Sequence, residues 1–170
     1  TATNVEKTGY KCFADREELD AAVERYVAYG CGEAETAALN AVCLGDSKMY
    51  GWPMGLWCFG DVTDMSSLFE GRDMFNEDIS GWNVGNVKFM NRMFYDAASF
   101  IGNVSSWDVS SVTNMREMFK GATLFNENLC AWKDSFPYSN AADIFVNSGC
   151  KFMGDPSSST QGPFCSSSCN

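Results

Sequence analysis

Eight cysteines, an evenly spaced set of tryptophans and a file of aspartate and asparagine are the residues of this chain that could do chemistry. Cys12, Cys31, Cys43 and Cys58 stand before residue 59, and Cys130, Cys150, Cys165 and Cys169 stand after residue 129. Thiolates in fours could hold zinc, but the chain has no Cys-x-x-Cys pair and no histidine. The spacing therefore favours disulfides over metal. An even set gathered at the two ends is how a chain is stapled in an oxidising compartment. Short loop closures lead to the expectation of Cys31–Cys43 with Cys12–Cys58, and Cys130–Cys150 with Cys165–Cys169. With every thiol bonded, no thiolate nucleophile remains. No Gly-x-Ser-x-Gly elbow is present, and nothing singles out two carboxylates as a glycosidase pair. An enzyme is not expected, and neither is a cofactor.

Trp57, Trp82, Trp107 and Trp132 recur every 25 residues. An exposed file of rings would grip a glycan or a flat apolar partner. A buried file would be packing, which is the commoner use of large aromatics. If the file is exposed, Trp82 and Trp107 are its centre. Trp52, outside the register, is the best single candidate for exposure. A second file, Asp78, Asn103 and Asn128, lies among Asn76, Glu77, Asn126 and Glu127. Its oxygens could bind Ca²⁺, or each side chain could close an Asx turn on its own backbone. Met65, Met90 and Met115, with Met93 and Met118, could be read as soft-metal ligands, but their helical spacing reads as core filler. Asn103-Val104-Ser105 is an N-glycosylation sequon, with Asn103 as acceptor.

These files need elements to hold them. An apolar residue stands three before each tryptophan (Met54, Ile79, Val104, Leu129), and an aromatic stands seven before (Tyr50, Phe75, Phe100, Phe125). Val62, Val87 and Val112, then Phe69, Phe94 and Phe119, complete the register. A tandem repeat of this length stacks copy on copy. Copies run 62–86, 87–111 and 112–136, with a partial copy from about residue 50. In the first half, Val112, Met115, Met118 and Phe119 have helical spacing, with Thr63 and Thr113 as caps and Gly71 and Gly121 as stops. The second half reads as a short strand, turned by Gly81, Asn83, Gly85 and Asp108 and paired in parallel with its neighbours. The expected fold class is α/β: one domain forming a right-handed solenoid of 25-residue leucine-rich-like coils, each a short helix plus a short parallel strand.

Residues 1–49 are the expected N-terminal cap, 50–136 the repeats, and 137–170 a C-terminal cap and disulfide-tied tail. Residues 1–11 read as a loose lead-in. An amphipathic helix is expected over 15–29: Asp15 caps it with Glu18 as reciprocal partner, Leu19, Ala22, Val23, Tyr26 and Val27 form its stripe, and Gly30 stops it. A second short helix over 34–43 would be anchored by Ala38, Leu39 and Val42. After Trp132 the register slips by one, since Phe145 stands 26 after Phe119.

The chain has 170 residues, is 45% hydrophobic and carries a formal charge of −10. That size suits one domain with a real core. The acidity disfavours nucleic acid and anionic membrane surfaces as partners. No apolar run approaches the ~18 residues of a membrane span, so no membrane insertion is expected. No leader is evident at the N-terminus, so a secreted protein would already have lost its signal peptide.

The run Phe75-Asn-Glu-Asp-Ile-Ser-Gly-Trp-Asn-Val-Gly-Asn-Val-Lys-Phe-Met-Asn-Arg-Met-Phe94 resembles the repeat of the BspA-like leucine-rich-repeat surface proteins. Trp107-Asp-Val-Ser-Ser-Val-Thr-Asn-Met-Arg-Glu-Met-Phe119 resembles it too, and the likeness spans about 50–135. The ends, Cys12-Phe-Ala-Asp-Arg-Glu-Glu-Leu and Gly162-Pro-Phe-Cys165, resemble the caps of secreted algal-type members. The resemblance implies a secreted, extracellular or surface-attached protein of interaction or adhesion type, and brings no shared activity or ligand residues. The expected function is a non-enzymatic module that binds a protein or glycan at a cell surface or matrix. The alternative is a Ca²⁺-dependent or structural matrix protein using the Asp/Asn file. Glycoside hydrolysis and ice binding are weaker readings, the latter because Lys88 and Cys130 interrupt the Thr and Ser files.

Overall fold

Alternate backbone N–H groups in the first half of each copy point out of that copy and into the next. In the computed structural model, which describes residues 9–33, 40–158 and 164–169, Met65, Ser67, Phe69 and Gly71 donate to the carbonyls of Phe89, Asn91, Met93 and Tyr95 at 2.8–2.9 Å. Met90, Arg92, Phe94 and Asp96 donate to Asn114, Arg116, Met118 and Lys120. Met115, Glu117, Phe119 and Gly121 donate to Asn140, Ala142, Ile144 and Val146. The N–H groups between them turn back three residues within their own copy, as Leu68 does to Met65 and Glu70 to Ser67. The segment is thus a run of tight turns, hydrogen-bonded forward to its neighbour.

This overturns the expected α/β solenoid of leucine-rich coils. The first halves form no helix, because the N–H groups a helix would bond to carbonyls four residues back are already committed to the next copy. Left-handed residues also recur inside each segment, which a right-handed helix excludes. Ser67, Arg92 and Glu117 have φ of 57°, 58° and 54°, and Gly71, Asp96 and Gly121 have 67°, 54° and 77°. Gly71 and Gly121 are therefore repeated corners, not helix stops. Thr113 caps nothing: its N–H and hydroxyl both donate to the Lys88 carbonyl of the previous copy. The second halves form no strands. Among the described residues no strand or sheet is found; the parallel pairings are isolated bridges, Asp64 with Phe89 and Phe89 with Asn114, at the start of the first half.

The apolar columns fill the inside of this stack. Phe69, Phe94 and Phe119 stack with ring centroids 5.5 and 5.4 Å apart, and Phe75, Phe100 and Phe125 with 5.9 and 5.8 Å. Met65, Met90, Met93, Met115 and Met118 are fully buried beside them. Burial of each such side chain is worth roughly 1.5–3 kcal/mol. Among the described residues no polar or charged residue is buried.

Helix α1, Arg16–Ala28, packs its Leu19, Ala22, Val23 and Tyr26 onto the start of the stack. Asp15 caps it by accepting from Glu18 N at 2.9 Å, and the Glu18 carboxylate reaches Ala14 N. Helix α2, Ala41–Tyr50, is capped by Asn40 and ends at Gly51, whose φ is 94°. It lies later than the helix expected over 34–43; residues 34–39, with Ala38 and Leu39, lie outside the described residues, as do 1–8 of the lead-in and 162–163 of the tail motif. The Arg25 guanidinium grips the Asp46 carboxylate with two bonds of 2.9 and 2.8 Å and ties α1 to α2.

A one-way stack has two unlike ends. The first copy exposes carbonyls, and Arg16 of α1 donates to those of Asp64 and Ser66, at 3.3 and 2.6 Å. These sit 25 residues before Phe89 and Asn91, so Arg16 takes the place of a missing earlier copy. The last copy exposes N–H groups, and the Asp155 carboxylate accepts from Asp143 N and Ile144 N at 3.1 and 3.2 Å. A cation on the carbonyl end and an anion on the amide end follow the logic that governs charges at helix termini.

Disulfides reinforce both ends. Cys12–Cys58 and Cys31–Cys43 form as expected. The C-terminal group pairs differently, as Cys130–Cys169 and Cys150–Cys165. The tail folds back across the last copies: Phe152 N donates to Cys165 O at 2.9 Å, and Ser166 N to Glu127 O at 3.2 Å. That return lays Cys165 beside Cys150 and carries Cys169 to Cys130. Four disulfides mark an extracellular, non-cytoplasmic protein. Among the described residues no helix is long and apolar enough to cross a membrane.

Asp155→Ala leaves the Asp143 amide without its acceptor and the Ile144 amide with only its 3.3 Å bond to Ala141 O. It should lower unfolding stability by about 1–2 kcal/mol in a denaturant titration with disulfides intact. An unchanged midpoint would mean that the disulfides alone hold that end.

Candidate functional site

The tryptophan file is core. The Trp82 indole N–H donates to Met54 O at 2.8 Å and that of Trp107 to Ile79 O at 3.1 Å, each reaching one copy back. The two rings lie 6.2 Å apart and 3° from parallel. Only 3% and 4% of their surfaces are exposed. Trp82 and Trp107 therefore offer no ring face to a ligand, which corrects the binding-platform expectation: their amphipathic rings serve as packing and as rungs between copies. Trp132 leaves the pattern. It ends a short 3-10 turn, Cys130–Trp132, and its buried N–H finds no partner in the described structure. Trp52 is 37% exposed, with its N–H donated to Cys31 O.

The polar file is spent on turns. Asp78 Oδ1 accepts from Ser80 N and Ser80 Oγ at 3.0 and 2.7 Å. Asn103 does the same with Ser105, at 2.9 and 2.7 Å, and Asn128 accepts from Cys130 N at 3.0 Å. The Ser80 hydroxyl and then its amide hold the Asp78 carboxyl below its usual range. These are Asx turns, repeated copy by copy. Among the described residues no three His, Cys, Asp or Glu side chains converge as a metal site. Asn103, the sequon residue, is exposed.

What the structure does bring together is an edge that the repeated columns did not reveal. Segments 73–76, 98–101 and 123–126 lie side by side: Ser99 N donates to Asp73 O at 2.9 Å, Leu124 N to Ala98 O at 3.2 Å, and Ile101 N to Asn76 Oδ1 at 3.0 Å. Three large apolar side chains stand out from it. Met74 is 86% exposed, Ile101 52% and Leu124 60%. Ile101 occupies the position held by Asn76 and Asn126 in the flanking copies. Those asparagines accept from an N–H of the following copy, of Ile101 and Lys151. An isoleucine gives up that bond and gains no burial. That exception in an otherwise polar column was the available signal in the sequence.

At the Met74 end the edge opens into a cleft of about 390 Å³ between α1 and the first copy, lined by Tyr26, Val27, Glu33, Met74 and Glu77 among others. The Tyr26 hydroxyl donates to Glu77 Oε2 at 3.2 Å. Burial lifts the Glu77 carboxyl above its usual range; the Tyr26 bond opposes this and the charge of Glu33 adds to it. Burial and Glu77 together also raise the Tyr26 phenol.

Residues 41–155 match the model of a protein family described as "Mycoplasma protein of unknown function, DUF285". The chain belongs to this family. The match runs from the start of α2 through every repeat to Asp155, the residue that closes the far end of the stack, so the family's region contains the stacked copies. Helix α1 and the tail after Asp155 lie outside it. No curated protein and no solved structure matches the chain significantly.

Glu77 gives a pH test with a definite sign. A carboxyl whose pKa is raised by folding contributes its full stability below its unfolded pKa and loses it as pH rises through the folded value. Glu77→Gln keeps an acceptor for Tyr26 and removes that loss. It should melt above the parent at neutral pH, with the gap closing as pH falls into the carboxylate range. A gap independent of pH would contradict a partly buried carboxylate whose charged form folding disfavours.

Proposed function

We propose that the chain is a non-enzymatic interaction module of a secreted or cell-surface protein, holding a protein or glycan partner against the outer edge of its stacked copies. The observation that carries this reading is the exposed row of Met74, Ile101 and Leu124 on adjacent segments. Exposed apolar side chains gathered on one edge mark interaction surfaces. The backbone beneath them is fixed by bonds between copies, so little ordering entropy is lost on binding. The resemblance of residues 50–135 to the BspA-like surface repeats supports the same reading, as does the disulfide content. The contact surface is the edge, since Trp82 and Trp107 are committed to the core and Asp78, Asn103 and Asn128 to their turns.

Ile101→Asp with Leu124→Asp tests the module. Both side chains point into solvent, so the double variant should keep its stability to within about 0.5 kcal/mol per site. Retention of the labelled chain on cell surfaces or matrix from its source should be lost. Retention equal to that of the parent would contradict the reading.

A further inference from the structure

The three segments that form the apolar edge, extended to residues 73–78, 98–103 and 123–128, contain Asp73, Glu77, Asp78 and Glu127 and no lysine or arginine. Asp73 and Asp78 are exposed, and Glu77 and Glu127 partly so. Arg72, which lines the cleft together with Asp73 and Glu77, has its guanidinium paired with Glu24 of α1. Among the described residues Asp73, Glu77, Asp78 and Glu127 make no ion pair, so the edge joins apolar side chains to carboxylates free of a cation. It runs from Lys151, whose N–H donates to Asn126, to the cleft that Glu77 and Glu33 line.

We infer that this edge docks a segment of a basic protein partner, with apolar side chains laid along Met74, Ile101 and Leu124 and one lysine or arginine seated in the cleft against Glu77. The inference rests on the interaction reading above and adds the chemistry of the partner. Three observations favour this occupant over others. A second copy of the chain, at a net charge of −10, would bring like charges together, which opposes self-docking. An anionic glycan or nucleic acid meets the same repulsion. A cation in the cleft, by contrast, relieves a carboxylate that burial disfavours. Gly32 fits this geometry: a Cβ there would collide with Glu77 Oε1, so the glycine leaves Glu77 its place in the wall of the cleft.

The test uses the disulfide-intact chain and two synthetic peptides, one alternating lysine and leucine and one alternating glutamate and leucine, followed by calorimetry or fluorescence anisotropy. The lysine peptide should bind saturably and the glutamate peptide should not. Leu124→Lys and Glu77→Gln should each weaken the lysine peptide by about fivefold to tenfold, the scale of a close charge pair or a central contact. Asp108→Asn removes an exposed carboxylate outside the three segments and keeps its turn acceptor, so it should change affinity by less than about twofold, as expected for a distant surface charge. Leu124→Lys alters only an exposed side chain and keeps the test valid if Glu77→Gln disturbs the cleft. Absence of binding, or equal losses with Asp108→Asn and Glu77→Gln, would overturn the inference, the latter by showing general attraction to an acidic surface. If the lysine peptide fails while Ile101→Asp with Leu124→Asp still abolishes retention on cell surfaces, the basic partner is wrong and the module stands. If retention is also insensitive to that pair, both fall.

Discussion

Each copy hands its alternate N–H groups forward to the carbonyls of the next, and that one-way bond sets what the rest of the chain must do. It forces the backbone into turns with left-handed corners, which Gly71 and Gly121 adopt freely and Asp96 adopts in the middle copy. It spaces the copies so that phenylalanine and tryptophan rings stack column by column. It also leaves carbonyls bare at one end and N–H groups bare at the other. The cap helix with Arg16, the returning tail with Asp155, and the clustering of cysteines at the two ends all answer that asymmetry. The middle copies, each satisfied by its neighbours, carry no cysteine.

Charge along one face follows the same period. Arg92 reaches Glu70 of the copy before, at 2.7 Å, and lies 3.7 Å from Glu117 of the copy after; Lys120 lies 2.6 Å from Glu117 and 3.6 Å from Asp143. The Arg92 guanidinium also covers the Tyr95 ring, at 4.3 Å. Each of these exposed pairs adds little stability. The inside of the stack is thus dictated by repetition, and individuality is confined to the outer positions that vary between copies. Ile101, which stands among asparagines, is such a position, and there the apolar edge arises.

The sequence revealed which side chains face inward. Val112, Met115, Met118 and Phe119 are all buried, as their spacing implied. That spacing could not reveal where the N–H groups go, because forward-bonded turns bury the same positions as a two-turn helix would. The extent of α1, its Asp15 cap and the N-terminal disulfides were legible because they rest on local patterns. The pairing of Cys130 and Cys150 was not, since it depends on a tail that doubles back across the last copies. The Asx turns were legible as one of two uses of Asp78, Asn103 and Asn128. The cleft was not: Tyr26 and Glu77 meet 51 residues apart, through packing that no local pattern encodes. The edge was hidden because attention to columns that repeat passes over columns that vary.

Scalar couplings across hydrogen bonds, read by NMR on uniformly labelled protein, examine the governing bond itself. Couplings should connect the amide nitrogens of Met90, Arg92 and Phe94 to the carbonyl carbons of Asn114, Arg116 and Met118, the partners bonded at 2.9 Å. Couplings from those same nitrogens to carbonyls four residues earlier in their own copy would mean short helices and would contradict the forward-bonded stack.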